Sequence, residues 1–177
     1  MRQLTFKGYL RQYVRALSYA KTNGLYRLAH EAATNNPRLR EPLLLYALFW
    51  NKAEVLLKAT KDRKLYLEYT HYLTTYDVYS MEKALINGDS SLPERLTRVY
   101  QSYLVARKKV QNENHTKLLM RNRILKLQKE KNVSTYRLFK DLNLNHGNIT
   151  AFLKHGDCSK LSLDKARSTL SYLEAFA

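Results

Sequence analysis

Five histidines, one cysteine and scattered carboxylates are the side chains of this 177-residue chain suited to acid–base, metal or nucleophilic chemistry. Their spacing argues against such chemistry. His30, His71, His115, His146 and His155 show no metal-ligand pattern. A lone Cys158 allows neither an internal disulfide nor a thiolate zinc site. It follows Asp157 just after an expected helix end, an environment that does not lower a thiol pKa. Glu31, Glu54 and Glu68 stand isolated, as surface charges do, and no glycine-rich phosphate loop is present. The pattern points away from an enzyme and asks for no metal and no cofactor.

Charge points elsewhere. The net charge is +16 and the pI about 9.9. Such a field attracts polyanions: nucleic acid first, an acidic membrane or acidic protein second. Residues 1–115 carry 19 Lys and Arg against 10 Asp and Glu, and residues 116–177 carry 12 against 5, so the second part is the more basic per residue. A single cysteine suits a reduced, intracellular setting. The start, MRQLTFKGYLRQYVR, lacks the apolar core of a signal peptide. The longest apolar run, LLLYALFW from Leu43 to Trp50, falls far short of the roughly 20 residues needed to cross a bilayer. It is expected as a buried helix in a cytoplasmic protein with no membrane contact.

Polar side chains that could meet a polyanion gather at residues 136–156, YRLFKDLNLNHGNITAFLKHG. An amphipathic helix carrying Leu138, Phe139 and Leu142 is broken by Asn143-Leu144-Asn145. It restarts with His146-Gly147-Asn148 in front of Ile149, Phe152 and Leu153. A short turn lets two helices cross steeply around a shared apolar cluster, and Leu144 can plug that cluster. The second helix then projects its N-terminal end, with free backbone N–H groups and a positive dipole end that favour phosphate. Such a helix fits the DNA major groove, where base edges are distinguishable.

The elements that must position this tip are helical. Five Gly and three Pro are few for 177 residues, and Leu, Lys, Arg and Tyr abound. Leu4–Ala20 has a helical spacing at Tyr9, Tyr13, Ala16 and Leu17, and Asn23-Gly24 breaks it. Leu25–Ala33 is a short helix ended by Asn35-Asn36-Pro37. Pro42 opens the apolar segment Leu43–Thr60. Leu65–Thr75 and Tyr79–Ile86 follow, with Tyr66, Tyr69, Tyr72, Tyr76 and Tyr79 forming a tyrosine-rich face, either a core edge or a binding surface. Asn87-Gly88-Asp89 is a stop. Ser91 and Glu94 match a capping box, and no Gly or Pro occurs from Glu94 to Lys131. Gln111–Thr116, QNENHT, is either a linker or the exposed midsection of one long helix. A domain boundary is set there, giving 1–115 and 116–177. In the second domain Met120, Ile124 and Leu127 form a first stripe. Ser134, Asn145 and Ser162 are expected N-caps of the next three helices, Gly156 and Asp157 end the third, and Leu163, Ala166, Leu170 and Leu173 face inward in the fourth.

The segment from Arg123 to Ala166 resembles the Cro/C1-type helix-turn-helix domain of phage repressors and antitoxins. The resemblance rests on Lys131-Asn132-Val133-Ser134 at the entry to helix two, Leu138 and Leu142 within it, and Leu144-Asn145 in the turn. Ile149 and Phe152 in the recognition helix, Gly156 at its stop and Ser162-Leu163 complete it. It covers residues 117–174. Phe139 stands where the family usually has a small Ala, Gly147 and Ala151 stand where long base-reading side chains are common, and Ile149 to Gly156 is one residue longer than usual.

The resemblance implies an all-α chain: a helical N-terminal domain, then a four- to five-helix DNA-binding domain. His146, Asn148 and Thr150 would face base edges, Thr150 also reaching the backbone. Thr135, Arg137, Asn145, Lys154, His155 and Lys160 would meet the DNA backbone. The implied function is a sequence-specific transcriptional regulator of bacterial or phage origin, an autorepressor acting on double-stranded DNA at the nucleoid, as a homodimer. An antitoxin-like variant would hold a toxin or other protein through residues 1–115. Two further readings are a phage-type inhibitor of a nucleic-acid-guided nuclease and an RNA-binding module using the tyrosine face.

Overall fold

A computed structural model of the chain describes residues 3–17, 36–50 and 63–176. The expected break at Asn23-Gly24, the helix Leu25–Ala33, the continuation of LLLYALFW toward Thr60, and His30, Glu31 and Glu54 lie outside the described residues, as do the side chains of Tyr66 and Tyr69. The described residues are helical, with no strand among them. The helices are α1 (Phe6–Leu17), α2 (Arg40–Phe49), α3 (Arg63–Thr75), α4 (Val78–Asn87), α5 (Glu94–Glu130), α6 (Thr135–Asp141), α7 (His146–His155) and α8 (Leu163–Ala175), with a 3-10 turn at Pro37–Leu39 before α2. None of these is long and apolar enough to cross a membrane. The chain divides into two compact units, Leu4–Arg107 and another made chiefly of Lys108–Ala177.

In the first unit α2 is the most deeply buried helix. Leu43, Leu44, Leu45, Ala47, Leu48 and Phe49 all lie in the core, as an apolar run of this length requires. Phe6 of α1 meets Phe49 edge-on at 5.3 Å and Tyr100 at 5.1 Å. The inward face of α1 is Phe6, Tyr9, Leu10 and Val14. Ala16, expected inside from its spacing, is exposed, because the stronger stripe through Leu10 and Val14 sets the helix rotation. The tyrosine-rich segment is not one face. α3 ends at Thr75 and α4 begins at Val78, capped by Asp77, whose side chain accepts from the Ser80 N–H at 2.7 Å. Tyr72 is therefore core, Tyr76 half-buried against it, and Tyr79 75% exposed.

Gly88 adopts a left-handed φ of +63° and closes α4. The capping box expected at Ser91 and Glu94 does not form. α5 begins at Glu94, the Leu96 N–H bonds the Pro93 carbonyl, and the Ser91 N–H is bound to the Asp89 side chain. Residues 111–116 are helical, part of the 37-residue α5.

The second unit closes around Ile124, Leu127, Leu138, Ile149, Phe152, Ala166 and Leu173. Leu142 and Met120, expected inward, are half-buried. Two asparagines make its turns. Asn132 and Asn143 have φ of +51° and +49°. The following amides reach back five residues, Val133 N–H to the Gln128 carbonyl at 3.0 Å and Leu144 N–H to the Phe139 carbonyl at 2.9 Å. This is the Schellman closure, and asparagine is one of the few residues other than glycine that enters the left-handed region readily.

That geometry yields a stability prediction. Asn143→Ala places a Cβ-bearing residue without a compensating side chain at φ +49°, and thermal or urea unfolding should read a loss of about 1 kcal/mol, while Asn143→Gly should lose nothing or gain slightly. Equal loss in both variants would mean that the asparagine side chain, and not the turn's backbone, carries the contribution.

Candidate nucleic-acid interface

The two helices that could meet a nucleic acid are α6 and α7, joined by Leu142–Asn145. Each begins on a local cap. The Ser134 hydroxyl accepts from the Arg137 N–H at 3.2 Å, and the Asn145 Oδ1 accepts from the Asn148 N–H at 3.0 Å. The Ser162 hydroxyl does the same for Lys165 at the start of α8. Leu144 packs half-buried on the core, and Ile149, Phe152 and Leu153 bury the inner face of α7.

The leading tip of α7 is open. His146, Gly147 and Asn148 are all exposed. Asn145 takes up one of the first-turn amides, which leaves those of His146 and Gly147 without an intrahelical acceptor. Gly147 faces outward with no side chain; a Cβ built on it would come no nearer than 3.4 Å, to the Asn145 Oδ1. A bare backbone at this point lets a phosphate approach the positive end of the helix closely.

The other end of α7 is held from α5. Arg121 Nε donates to the Phe152 carbonyl at 3.0 Å and the Leu153 carbonyl at 2.9 Å, and its guanidinium also reaches the Lys154 carbonyl at 3.4 Å. These carbonyls lie in the last turn of α7, where that of Phe152 also accepts the Gly156 N–H at 2.9 Å, and a cation there complements the dipole. Gly156, at φ +69°, completes the stop. Two more cations of α5 act in the same way. Lys117, almost fully buried, donates to the Cys158 carbonyl at 3.2 Å and pairs with Glu113 at 2.7 Å. Lys131 donates to the carbonyl of Glu174 in the last turn of α8 and to that of Phe176 just after it. Three of the basic residues of this unit are therefore committed to its own backbone.

The residues singled out from sequence fall into different settings. His146 and Asn148 share the exposed tip. Lys154, His155 and Lys160 are exposed and have no carboxylate within ion-pair reach among the described residues. Thr135 is half-buried and accepts from Gln128 Nε2 at 3.3 Å. Arg137 pairs with Asp141 at 3.4 Å and lies 4.5 Å over the Phe176 ring, with about half its side chain still exposed. The Tyr172 hydroxyl donates to the same Asp141 carboxylate. That bond, helped by Arg137, holds Asp141 below the usual carboxylate range. Asn145 spends its side-chain oxygen on the cap. Thr150 is a correction: its Oγ1 is covered and has no hydrogen-bond partner among the described residues, so the hydroxyl is not offered to a base edge in this conformation. The family resemblance alone implies a reading role for it.

Phe139 accounts for how the pair accommodates a large residue at that point. Its ring is half-buried and stands edge-on between Tyr136, at 4.9 Å, and His146, at 4.8 Å. The ring leans out across the surface of the helix pair instead of forcing its interior apart. Tyr136, 62% exposed, and the exposed Lys140 flank this row and were not singled out from sequence. Burial pushes the Cys158 thiol up, against the pull of Lys117, so it remains a protonated, packed side chain.

Arg121→Ala removes the cation from three carbonyls and should destabilise the chain by about 2–3 kcal/mol in urea unfolding, because hydrogen bonds to a charged group are worth more than neutral ones. Lys154→Ala, at an exposed site, should stay within about 0.5 kcal/mol of the unaltered chain. Similar losses in both would show that Arg121 does not hold α7. Comparison with protein-family models, with curated proteins and with solved structures gave no match to this chain.

Proposed function

We propose that this chain is a sequence-specific duplex-DNA-binding protein, acting as a transcriptional regulator and most simply as a repressor of its own operon. The observation that carries the reading is the exposed tip of α7. It combines two unpaired amides, a positive dipole end, and the side chains of His146 and Asn148. Asn148 suits adenine, and a neutral imidazole can donate or accept. Lys154, His155 and Lys160 supply phosphate contacts, with Arg137 at the start of α6. The resemblance to Cro/C1-type domains supports the same assignment, and paired half-sites on a palindromic operator would follow from a homodimer. The closed state of Thr150 leaves it out of the reading set.

A second reading concerns the first unit. Tyr79 and Ile86 on α4 are 75% and 59% exposed, which favours a protein-contact face and so an antitoxin-like arrangement with a partner. Inhibition of a nuclease would use the same kind of surface. RNA binding has less support, because Tyr72 and Tyr76 are packed rather than offered for stacking.

Three outcomes follow. In competition binding on duplexes, the double variant His146→Ala/Asn148→Ala should lose discrimination between sites by about 1–3 kcal/mol per lost base contact, with nonspecific affinity nearly intact; unchanged discrimination would remove both residues from the reading set. Lys154→Ala should weaken all duplexes alike and flatten the salt slope by about one unit, and an effect limited to one operator would contradict a phosphate role. Gly147→Ala should leave the melting temperature unchanged or raise it, since Ala exceeds Gly in helix propensity by about 1 kcal/mol, yet weaken duplex binding; full affinity in that variant would deny a close backbone–phosphate approach.

A further inference from the structure

The first unit brings three guanidinium groups and one carboxylate, that of Glu41, to one cleft of about 240 Å³. Arg38 comes from the 3-10 turn before α2, Arg95 and Arg98 from the first turns of α5, and Tyr9 and Tyr13 of α1 form a wall. The three arginines are not equivalent. Arg95 pairs with Glu41 at 3.5 Å and also with Glu68, carboxylates that are only 17% and 15% exposed. It is a strut whose charge is already used. Arg98 pairs only with Glu94, one turn back on α5, and both side chains are more than 70% exposed. Such a pair contributes little and yields readily to a better acceptor. Arg38 is exposed and has no carboxylate partner among the described residues.

The wall is neutral, and the Ser102 hydroxyl in it donates to the Arg98 carbonyl at 3.0 Å. Tyr9 is nearly buried and shares a hydrogen bond with Ser102, and burial pushes its phenol up, so it keeps its proton. The Tyr13 ring lies 5.6 Å from it, tilted by 35°. The Arg38 guanidinium, the Arg98 guanidinium held only by an exposed pair, and the Tyr13 phenol match a tetrahedral, multiply charged oxyanion, which offers more acceptor positions than a carboxylate. The cleft is smaller than the ~300–1,000 Å³ typical of drug-sized ligand sites, so it suits a compact ligand.

We propose that this cleft binds a small phosphate-bearing anion, held by Arg38 and Arg98 and flanked by Tyr9 and Tyr13. The site is independent of α6 and α7 and would serve as an effector site whatever the second unit contacts. Inorganic phosphate and a short phosphate monoester share the recognised chemistry.

Isothermal titration calorimetry on the full chain, at constant ionic strength, with inorganic phosphate and with a nucleoside 5′-monophosphate, tests this. Both probes should bind at up to millimolar concentration. The monophosphate binding more tightly would bring Tyr9 and Tyr13 into contact with the rest of the ester, and equal affinity would confine recognition to the phosphate; either supports the site. Arg38→Gln and Arg98→Gln should each weaken binding by about tenfold, the effect of losing one charge-assisted contact. Melting temperatures should barely change, because both side chains are exposed. Lys129→Ala, at an exposed position away from the cleft, should bind both probes as the unaltered chain does. Absence of binding to either probe, or affinity that survives both substitutions, overturns the proposal. So does a loss in Lys129→Ala as large as in the arginine variants, since that would mark diffuse attraction to a basic protein.

Discussion

A helix that ends against its own domain must find partners for its last carbonyls, and in the second unit α5 supplies them. Arg121 sits on the carbonyls of Phe152, Leu153 and Lys154, Lys117 on that of Cys158, and Lys131 on those of Glu174 and Phe176. One helix thereby anchors the C-terminal ends of α7 and α8 and the turn between them. The Cys158 carbonyl is the buried one of these acceptors, and left unmade it would cost about 1–3 kcal/mol. Fixing α7 by its trailing end leaves its leading end to face solvent, which is what a reading helix requires.

The same contacts change how the net charge should be understood. A count of +16 treats every Lys and Arg as available to a polyanion. In the second unit the cations of Lys117, Arg121 and Lys131 are spent on backbone, and those of Lys126, Arg137 and Arg167 lie beside carboxylates. Lys154 and Lys160 remain close in sequence to the exposed tip, without such partners among the described residues. In the proposed duplex binding their contribution would fall with salt, as surface contacts to phosphate do.

Local physics was legible in the sequence and distant contacts were not. Ser134, Asn145 and Ser162 were readable as caps because each bonds an amide three residues on. The buried stripe of α7 and the burial of LLLYALFW followed from spacing and apolar length. The all-helical character followed from sparse glycine and proline. Arg121 was not readable, since its partners lie 31 to 33 residues away and an arginine on a helix gives no sign of its target. Ser91 misled because Pro93 takes over the entry to α5. Ala16 misled because a small residue carries little weight in a hydrophobic stripe. Thr150 misled because a family resemblance does not reveal that its hydroxyl would be covered. The left-handed Asn132 and Asn143 lay in recognised breaks, yet the reason asparagine occupies them became plain only from φ.

Amide chemical shifts recorded while the chain is titrated with duplexes selected from a random pool test the central claim most directly. The account predicts that selection recovers a defined sequence and that the largest shifts fall at His146, Gly147 and Asn148, with smaller ones at Lys154 and Lys160. Shifts that leave those three amides unmoved while the duplex is bound, or a pool that stays random, would contradict it.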